Sequence, residues 1–291
     1  MNWNKCKVEP GKEFKLSEID THAAKKQGDD KDVQKKLLND IDEISSLQYK
    51  LYAENRQSLL IILQGMDSSG KDGTIKHIMS GVNPQGVVVY SFKQPSALEL
   101  QHDFLWRHAV KLPEHGQITI FNRSHYENVL ISKVHPEIVL AERLPGIDSI
   151  DKITKDFWLN RYQQINDFEK NAVKNGTQIL KFFLHLSKHE QRNRFLDRIE
   201  NKEKHWKFSS NDITERKFWK DYQQVYEQAL KHTSTKLAPW FVIPADDKLP
   251  AHLLIGKIIL EKLKEMNPSL PPVDKKEEEL MKQAQEELKR Q

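Results

Sequence analysis

Leu59-Leu60-Ile61-Ile62-Leu63-Gln64-Gly65-Met66-Asp67-Ser68-Ser69-Gly70-Lys71 is the stretch on which the fold class turns. A short, uninterrupted apolar run reads as a strand buried on both faces. The spacing G-x-x-x-x-G-K directly after it is that of a phosphate-cradling loop. Gly65 and Gly70 can adopt positive φ without a Cβ clash, so the loop can curl and aim successive backbone N–H groups at one anion. A helix predicted from Lys71 adds the positive end of its dipole at the same point, and the lysine adds a point charge. A chance glycine turn is the competing reading, and the strand–loop–helix context weighs against it. Two positions depart from the usual pattern. The Ser or Thr whose hydroxyl ordinarily binds Mg²⁺ after the lysine is Asp72 here, with Thr74 two residues further on. Asp67 lies inside the loop, where a carboxylate repels phosphates unless it holds a metal or faces the reacting group.

Outward from the loop, short apolar runs alternate with helical stretches. The runs are Leu59–Leu63, Val87–Tyr90, Ile118–Phe121, Ile179–Leu186 and Trp240–Ile243. Near-continuous apolar strands separated by helices imply a parallel sheet covered on both faces, with ligands gathered at the carboxyl ends of its strands. From Lys31 to Asn55, Val33, Leu37, Leu38, Ile41, Ile44, Leu47 and Leu51 step by three or four, which predicts a helix with one buried stripe. A second helix is predicted over Lys155–Lys174, its aromatic stripe (Phe157, Trp158, Tyr162, Phe168) read as core. The expected organisation is a polar arm over 1–30, one large domain over 31–265 and a solvated polar helix over 266–291.

The 291 residues are 37% hydrophobic and 30% charged, with net charge +4 and a single cysteine, Cys6. No run approaches the roughly 20 apolar residues of a membrane span. One cysteine cannot build a disulfide framework. A cytoplasmic location is the expectation, without membrane or nucleic-acid partners.

Two further constellations carry chemistry. Asn122-Arg123-Ser124-His125-Tyr126-Glu127 follows the third apolar run, where a strand-end acid would hold Mg²⁺ in a kinase of this class. Asparagine stands there, so Asp67 becomes the better metal candidate. Arg123 can engage phosphate bidentately; Glu127 is either a site carboxylate or a structural one, and His125 reads as a polar neighbour. The second constellation is Lys181–Lys220, with 11 basic and 6 acidic residues, a local excess of +5. Arg194 and Arg198 share a helix face. Beside a phosphate loop, such a segment reads as a lid closing on phosphates, against the alternative of a solvated helix laced with ion pairs. Lys93 and Arg107 either face the cleft or are surface charge.

Taken together, these segments resemble the polyphosphate kinase 2 family of polyphosphate:nucleotide phosphotransferases. The resemblance rests on Gly65–Thr74, Phe121–Glu127, Lys181–His185, Trp206-Lys207-Phe208-Ser209 with Asp212, and Ala238–Lys248, and it spans about residues 30–265. It implies a three-layer P-loop kinase fold, thymidylate-kinase-like, with a five-stranded parallel sheet and a helical lid over about 190–220. It further implies transfer of a terminal phosphate from inorganic polyphosphate to AMP or ADP, with Mg²⁺, or Mn²⁺ in its place, and a dimer or tetramer of the chain. By this resemblance Ser68, Ser69, Gly70, Lys71, Asp72, Gly73 and Thr74 hold polyphosphate, and Asp67 with Asn122 marks the metal position. Arg123 stabilises the transferring group with Asp67 and Lys71, and Arg194 or Arg198, with Asp212, acts from the lid. Lys93, Arg107, Glu127 and Asp212 are the candidate nucleotide contacts. An ATP-dependent nucleoside-monophosphate kinase is the rival reading, and a nucleic-acid-binding P-loop protein a more distant one.

Overall fold

The computed structural model describes residues 3–23 and 30–291. Five strands form the sheet: β1 (Ser58–Gln64), β2 (Val87–Ser91), β3 (Ile118–Asn122), β4 (Thr177–His185) and β5 (Trp240–Pro244). The helices, in chain order, are α1 (Asp30–Glu54), α2 (Lys71–Ile78), α3 (Trp106–Ala109), α4 (Ile131–Val134), α5 (Glu137–Leu140), α6 (Lys155–Lys174), α7 (Lys188–Glu200), α8 (Ser210–Glu215), α9 (Trp219–Thr233), α10 (Lys248–Met266) and α11 (Lys275–Lys289). Every strand pairing is parallel and the order is β2-β3-β1-β4-β5. All five apolar runs became strands.

Burial on two faces explains why those runs lack alternation. Side chains along a strand point to opposite faces in turn. Leu60 and Ile62 of β1 join one core with Trp158, Tyr162 and Ile165 of α6 and Val225 and Ala229 of α9. Leu59, Ile61 and Leu63 join the other with Ile44 and Leu51 of α1 and Leu254, Ile258 and Ile259 of α10. The result is three layers, helices over sheet over helices. Each Leu or Ile so buried contributes about 1.5–3 kcal/mol, so both faces reinforce β1 as the centre of the domain.

The polar amino-terminal segment lies along β5. The Val8 amide donates to the Trp240 carbonyl at 2.8 Å, and Lys7 bridges antiparallel to Phe241. This covers an edge that would otherwise offer unpaired backbone groups. At the other end of the chain, α11 buries none of its residues. No helix among the described residues is long and apolar enough to cross a membrane.

The topology also places the site. The chain leaves β1 toward β2 on one side and leaves β3 toward β4 on the other. A crevice therefore opens between the carboxyl ends of these adjacent strands, where such sheets bind ligands. Register brings Leu63 opposite Asn122, and the Arg123 amide donates to the Leu63 carbonyl at 3.1 Å.

Candidate active site

The loop after β1 curls as its glycines allow. Gly70 has φ +103°, a conformation L side chains rarely adopt, and it leads directly into α2. A Cβ on Gly65 would lie 2.7 Å from Ser69 Oγ and 3.0 Å from the Leu184 carbonyl oxygen, so only glycine lets the loop pass this close to β4. Lys71 folds back over the loop, donating to the carbonyls of Gly65 at 2.7 Å and Met66 at 3.3 Å. Burial, and next to it the charge of Arg123, pull the Lys71 ammonium below its ordinary pKa.

Arg123 sits at the end of β3 with φ +63°, strained for a residue with a side chain. The turn His125–Val129 that follows is capped by Ser124, whose hydroxyl also accepts from Gln64 Nε2 at 3.1 Å. The Arg123 guanidinium bonds Asp67 Oδ1 at 3.0 Å. Burial would lower its pKa, but the carboxylates of Glu127 and Asp67 outweigh that and raise it. Burial raises the Glu127 carboxyl, opposed by Arg123 and Lys71. Two ionisable groups held away from their ordinary values beside a phosphate loop mark a site where charge is handled.

Beneath this turn lies a fully buried polar cluster. Lys181 Nζ of β4 meets Glu169 Oε2 at 2.6 Å, the Tyr126 hydroxyl at 2.9 Å and the Thr233 carbonyl at 2.7 Å. Tyr126 donates to Glu169 Oε1 at 2.7 Å, and His125 Nε2 lies 3.3 Å from the same oxygen. Burial pushes the Glu169 carboxyl up, but Lys181 and His125 more than offset this and it falls below its ordinary value. His125 is thus fully buried within this cluster.

Two clefts flank Arg123 and Glu127, which line both. One, of about 300 Å³, has Phe92, Lys93, Phe104 and Arg107 in its wall. Arg107 is held there by Glu99 at 3.4 Å and by the Lys93 carbonyl at 2.8 Å, with its guanidinium over the Phe92 ring. The other, of about 130 Å³, is walled by Gly65, Asp67, Gln191, Asp212, Arg216 and Tyr226. Asp212 pairs with Arg198 at 3.0 Å, while burial and the nearby Asp67 raise its carboxyl.

Arg194 is placed differently from its expected role. Its guanidinium lies behind the loop, bonding the carbonyls of Ser68 and Ser69 at 3.0 Å each and those of Ala245 and Asp246 at 2.6 and 3.1 Å. Glu190 takes its Nε at 2.8 Å. It clamps the loop to β5, and its donors do not face the crevice. Asn122 likewise spends its amide nitrogen on Asp72 Oδ1 at 2.8 Å. Here it serves the loop carboxylate as a donor.

Sequence reasoning missed Gln191, Arg216, Tyr222 and Tyr226. Gln191 donates to the Asp67 carbonyl at 3.0 Å and accepts from Arg216 at 2.6 Å. Tyr222 and Tyr226, one helical turn apart on α9, line the smaller cleft. Their spacing was the available signal, and it reads equally as core.

Among the described residues no group of three or more His, Cys, Asp or Glu is arranged to hold a metal. Mg²⁺ is commonly held by one or two carboxylates with water and substrate phosphates completing its shell. Asp67 and Asp72, hard oxygen donors at the two ends of the loop, fit an ion that arrives with phosphate.

A family model for polyphosphate kinase 2 matches residues 26–271. The chain belongs to the polyphosphate kinase 2 family. Among relatives of this family member, an ADP-polyphosphate phosphotransferase of Rhodopseudomonas palustris is 49% identical over 254 residues, 87% of each chain. An AMP/ADP-polyphosphate phosphotransferase of Meiothermus ruber is 41% identical over 82% of this chain and 84% of its own. The crystal structure of polyphosphate kinase 2 from Arthrobacter aurescens TC1 superposes with TM-score 0.84 at 35% identity, covering 93% of this chain and 91% of that one. The five-stranded three-layer P-loop fold is therefore that of this family.

Proposed function

We propose that the protein transfers the terminal phosphate of inorganic polyphosphate to nucleoside mono- and diphosphates, making ADP from AMP and ATP from ADP, reversibly. The observation that carries this reading is the position of Arg123 and Glu127 between two clefts at the mouth of the Lys71 loop. The loop amides, Lys71 and Thr74 hold the donor chain. The larger cleft takes the nucleotide, with Phe92 and Phe104 as apolar wall and Lys93 and Arg107 as cations. The relatives' names cover both ADP alone and AMP with ADP, which supports a site that accepts either.

Phosphoryl transfer runs through a loose transition state whose charge is spread over the equatorial oxygens. The protein's contribution is position and fixed positive charge. Lys71 orients the donor end, and Arg123, anchored by Asp67, bridges donor and acceptor. Arg198 acts from the lid side through Asp212. Arg194 acts at one remove, by fixing the loop carbonyls so that the loop amides face outward. Asp67 and Asp72 would hold Mg²⁺, or Mn²⁺ in its place, which when bound neutralises phosphate charge. No covalent phospho-enzyme is required. The cytoplasm is the compartment this reading implies. A dimer or tetramer belongs to it as well, with the exposed Leu280, Met281 and Leu288 of α11 as contact surface.

Incubation with AMP or ADP, Mg²⁺ and either polyphosphate or ATP, followed by chromatography, tests the reading. ADP and ATP should form with polyphosphate as sole donor. Turnover with ATP but not polyphosphate would establish the nucleoside-monophosphate kinase instead.

A further inference from the structure

Helix α9 has two functional sides. Tyr222 and Tyr226 line the smaller phosphate cleft, whereas Gln228 and Lys231 line a separate cavity of about 510 Å³. That cavity opens between the amino-terminal segment, α4, α6 and α9. Three lysines from three elements converge on it: Lys133 of α4, Lys155 in the first turn of α6 and Lys231 in the last turn of α9.

Their charges are unequally answered. Lys231 pairs with Glu13. The second wall carboxylate, Glu227, accepts the backbone N–H of Leu16 at 2.9 Å. Lys133 has no carboxylate in ion-pair reach among the described residues; its ammonium donates to the Tyr162 hydroxyl at 3.2 Å and to the Gln228 side-chain oxygen. It lies 5.5 Å from the Trp158 ring centre and 5.4 Å from that of Tyr162. Burial lowers its pKa from 10.5 to about 8. The aromatic floor answers only part of the charge of this half-buried ammonium, and such groups are ordinarily paired. The cavity has room for the partner that the chain does not supply.

We propose that this cavity is a binding site for a small phosphate-bearing anion, gripped by Lys133 and Lys155 and separate from the reaction clefts. Phosphate chemistry fits because lysines act on it as point charges from several directions, and its several oxygens can meet Lys133 and Lys155 at once. Orthophosphate, pyrophosphate and a nucleoside monophosphate share this chemistry. The site adjoins the reaction: Ile131 and Ser132, the two residues before Lys133, line the nucleotide cleft. Its existence does not depend on which donor the Lys71 loop takes.

Calorimetric titration of the Lys71→Ala/Arg123→Ala protein with orthophosphate or pyrophosphate, in separate runs, tests the proposal with the Lys71 loop's grip on phosphate removed. At least one should bind saturably, and Lys133→Met added to that background should weaken it about tenfold or more. Lys133→Arg should restore most of the affinity. Unchanged affinity in the Lys133→Met protein, or no saturable heat with either anion, overturns the proposal. Should Lys133→Met not fold, wild-type crystals soaked in tungstate decide. An anomalous peak within hydrogen-bond reach of Lys133 Nζ supports the site, and peaks confined to the Lys71 loop refute it.

Discussion

Replacing Lys181 by methionine removes one charge from a cluster that has no access to water. Lys181 is fully buried and the Glu169 side chain is 2% exposed, with 2.6 Å between them. In the Lys181→Met protein, Glu169 keeps Tyr126 and His125 as neighbours but loses the one permanent cation paired with it among the described residues. Removing one partner of a buried pair costs about 3–5 kcal/mol, which for a chain of this size lowers the melting temperature by about 10 °C. Changing Glu169 to glutamine in the same protein removes the stranded charge while leaving an oxygen for the Tyr126 hydroxyl. The double variant should therefore recover at least half of the loss, a coupling that thermal and urea melts of the four proteins measure directly. In the single variant burial no longer has Lys181 to oppose it, so the Glu169 carboxyl rises above its unfolded value. The Lys181→Met protein should then regain stability as pH falls through that raised pKa. Melting within a degree or two of the parent, or a double variant no better than the single, would refute the view that this pair supports the turn bearing Arg123.

Lys71→Ala and Arg123→Ala should each lower polyphosphate-dependent turnover by about 10²–10³-fold with little change in circular dichroism; near-normal turnover in either would remove it from its role. Arg194→Ala should cost about 3 kcal/mol or more, since buried carbonyls lose a charged donor, and should impair turnover too. Arg194→Lys should not rescue it, because an ammonium cannot span the carbonyls of Ser68, Ser69, Ala245 and Asp246 at once. Gly65→Ala should lower both melting temperature and turnover, as its methyl group meets Ser69 and the β4 backbone; an unperturbed variant would show that the loop shifts freely. His252 stacks on His77, and burial, with that neighbour, lowers its pKa from 6.5 to about 4. The unfolded chain takes up a proton there that the folded chain refuses, so stability falls as pH drops from about 6.5 to 4, by up to about 3 kcal/mol. Urea melts across this range should show a shallower loss in His252→Gln, and parallel curves would discount the group.

The sheet could be read from sequence because its strands are buried on both faces, and an unbroken run such as Leu59–Leu63 has few other uses. Structure extended most of the runs by a residue or two, since hydrogen bonding continues past the apolar stretch to Gln64 and Asn122, while β4 starts two residues earlier than its run and stops before Leu186. The loop was legible because its geometry depends on local spacing. Arg194 was not. Its sequence shows a charge on a helix face, whereas its partners, Ser68 and Ala245, lie 126 and 51 residues away. The pairing of Asp72 with Asn122 is equally remote, with 50 residues between them. The amino-terminal segment reads as polar, and the burial of Val8 and Leu16 depends on a strand edge formed by the far end of the chain.

An ammonium has three N–H bonds, and Lys71 commits two of them to the Gly65 and Met66 carbonyls. With both retained, the third becomes a fixed pointer rather than the end of a swinging tether. Every internal unit of a phosphate polymer is alike, so a stationary contact meets the same chemistry after each one-unit slip. Such a post would offer each newly shortened end the same single contact, in the same place, as the last.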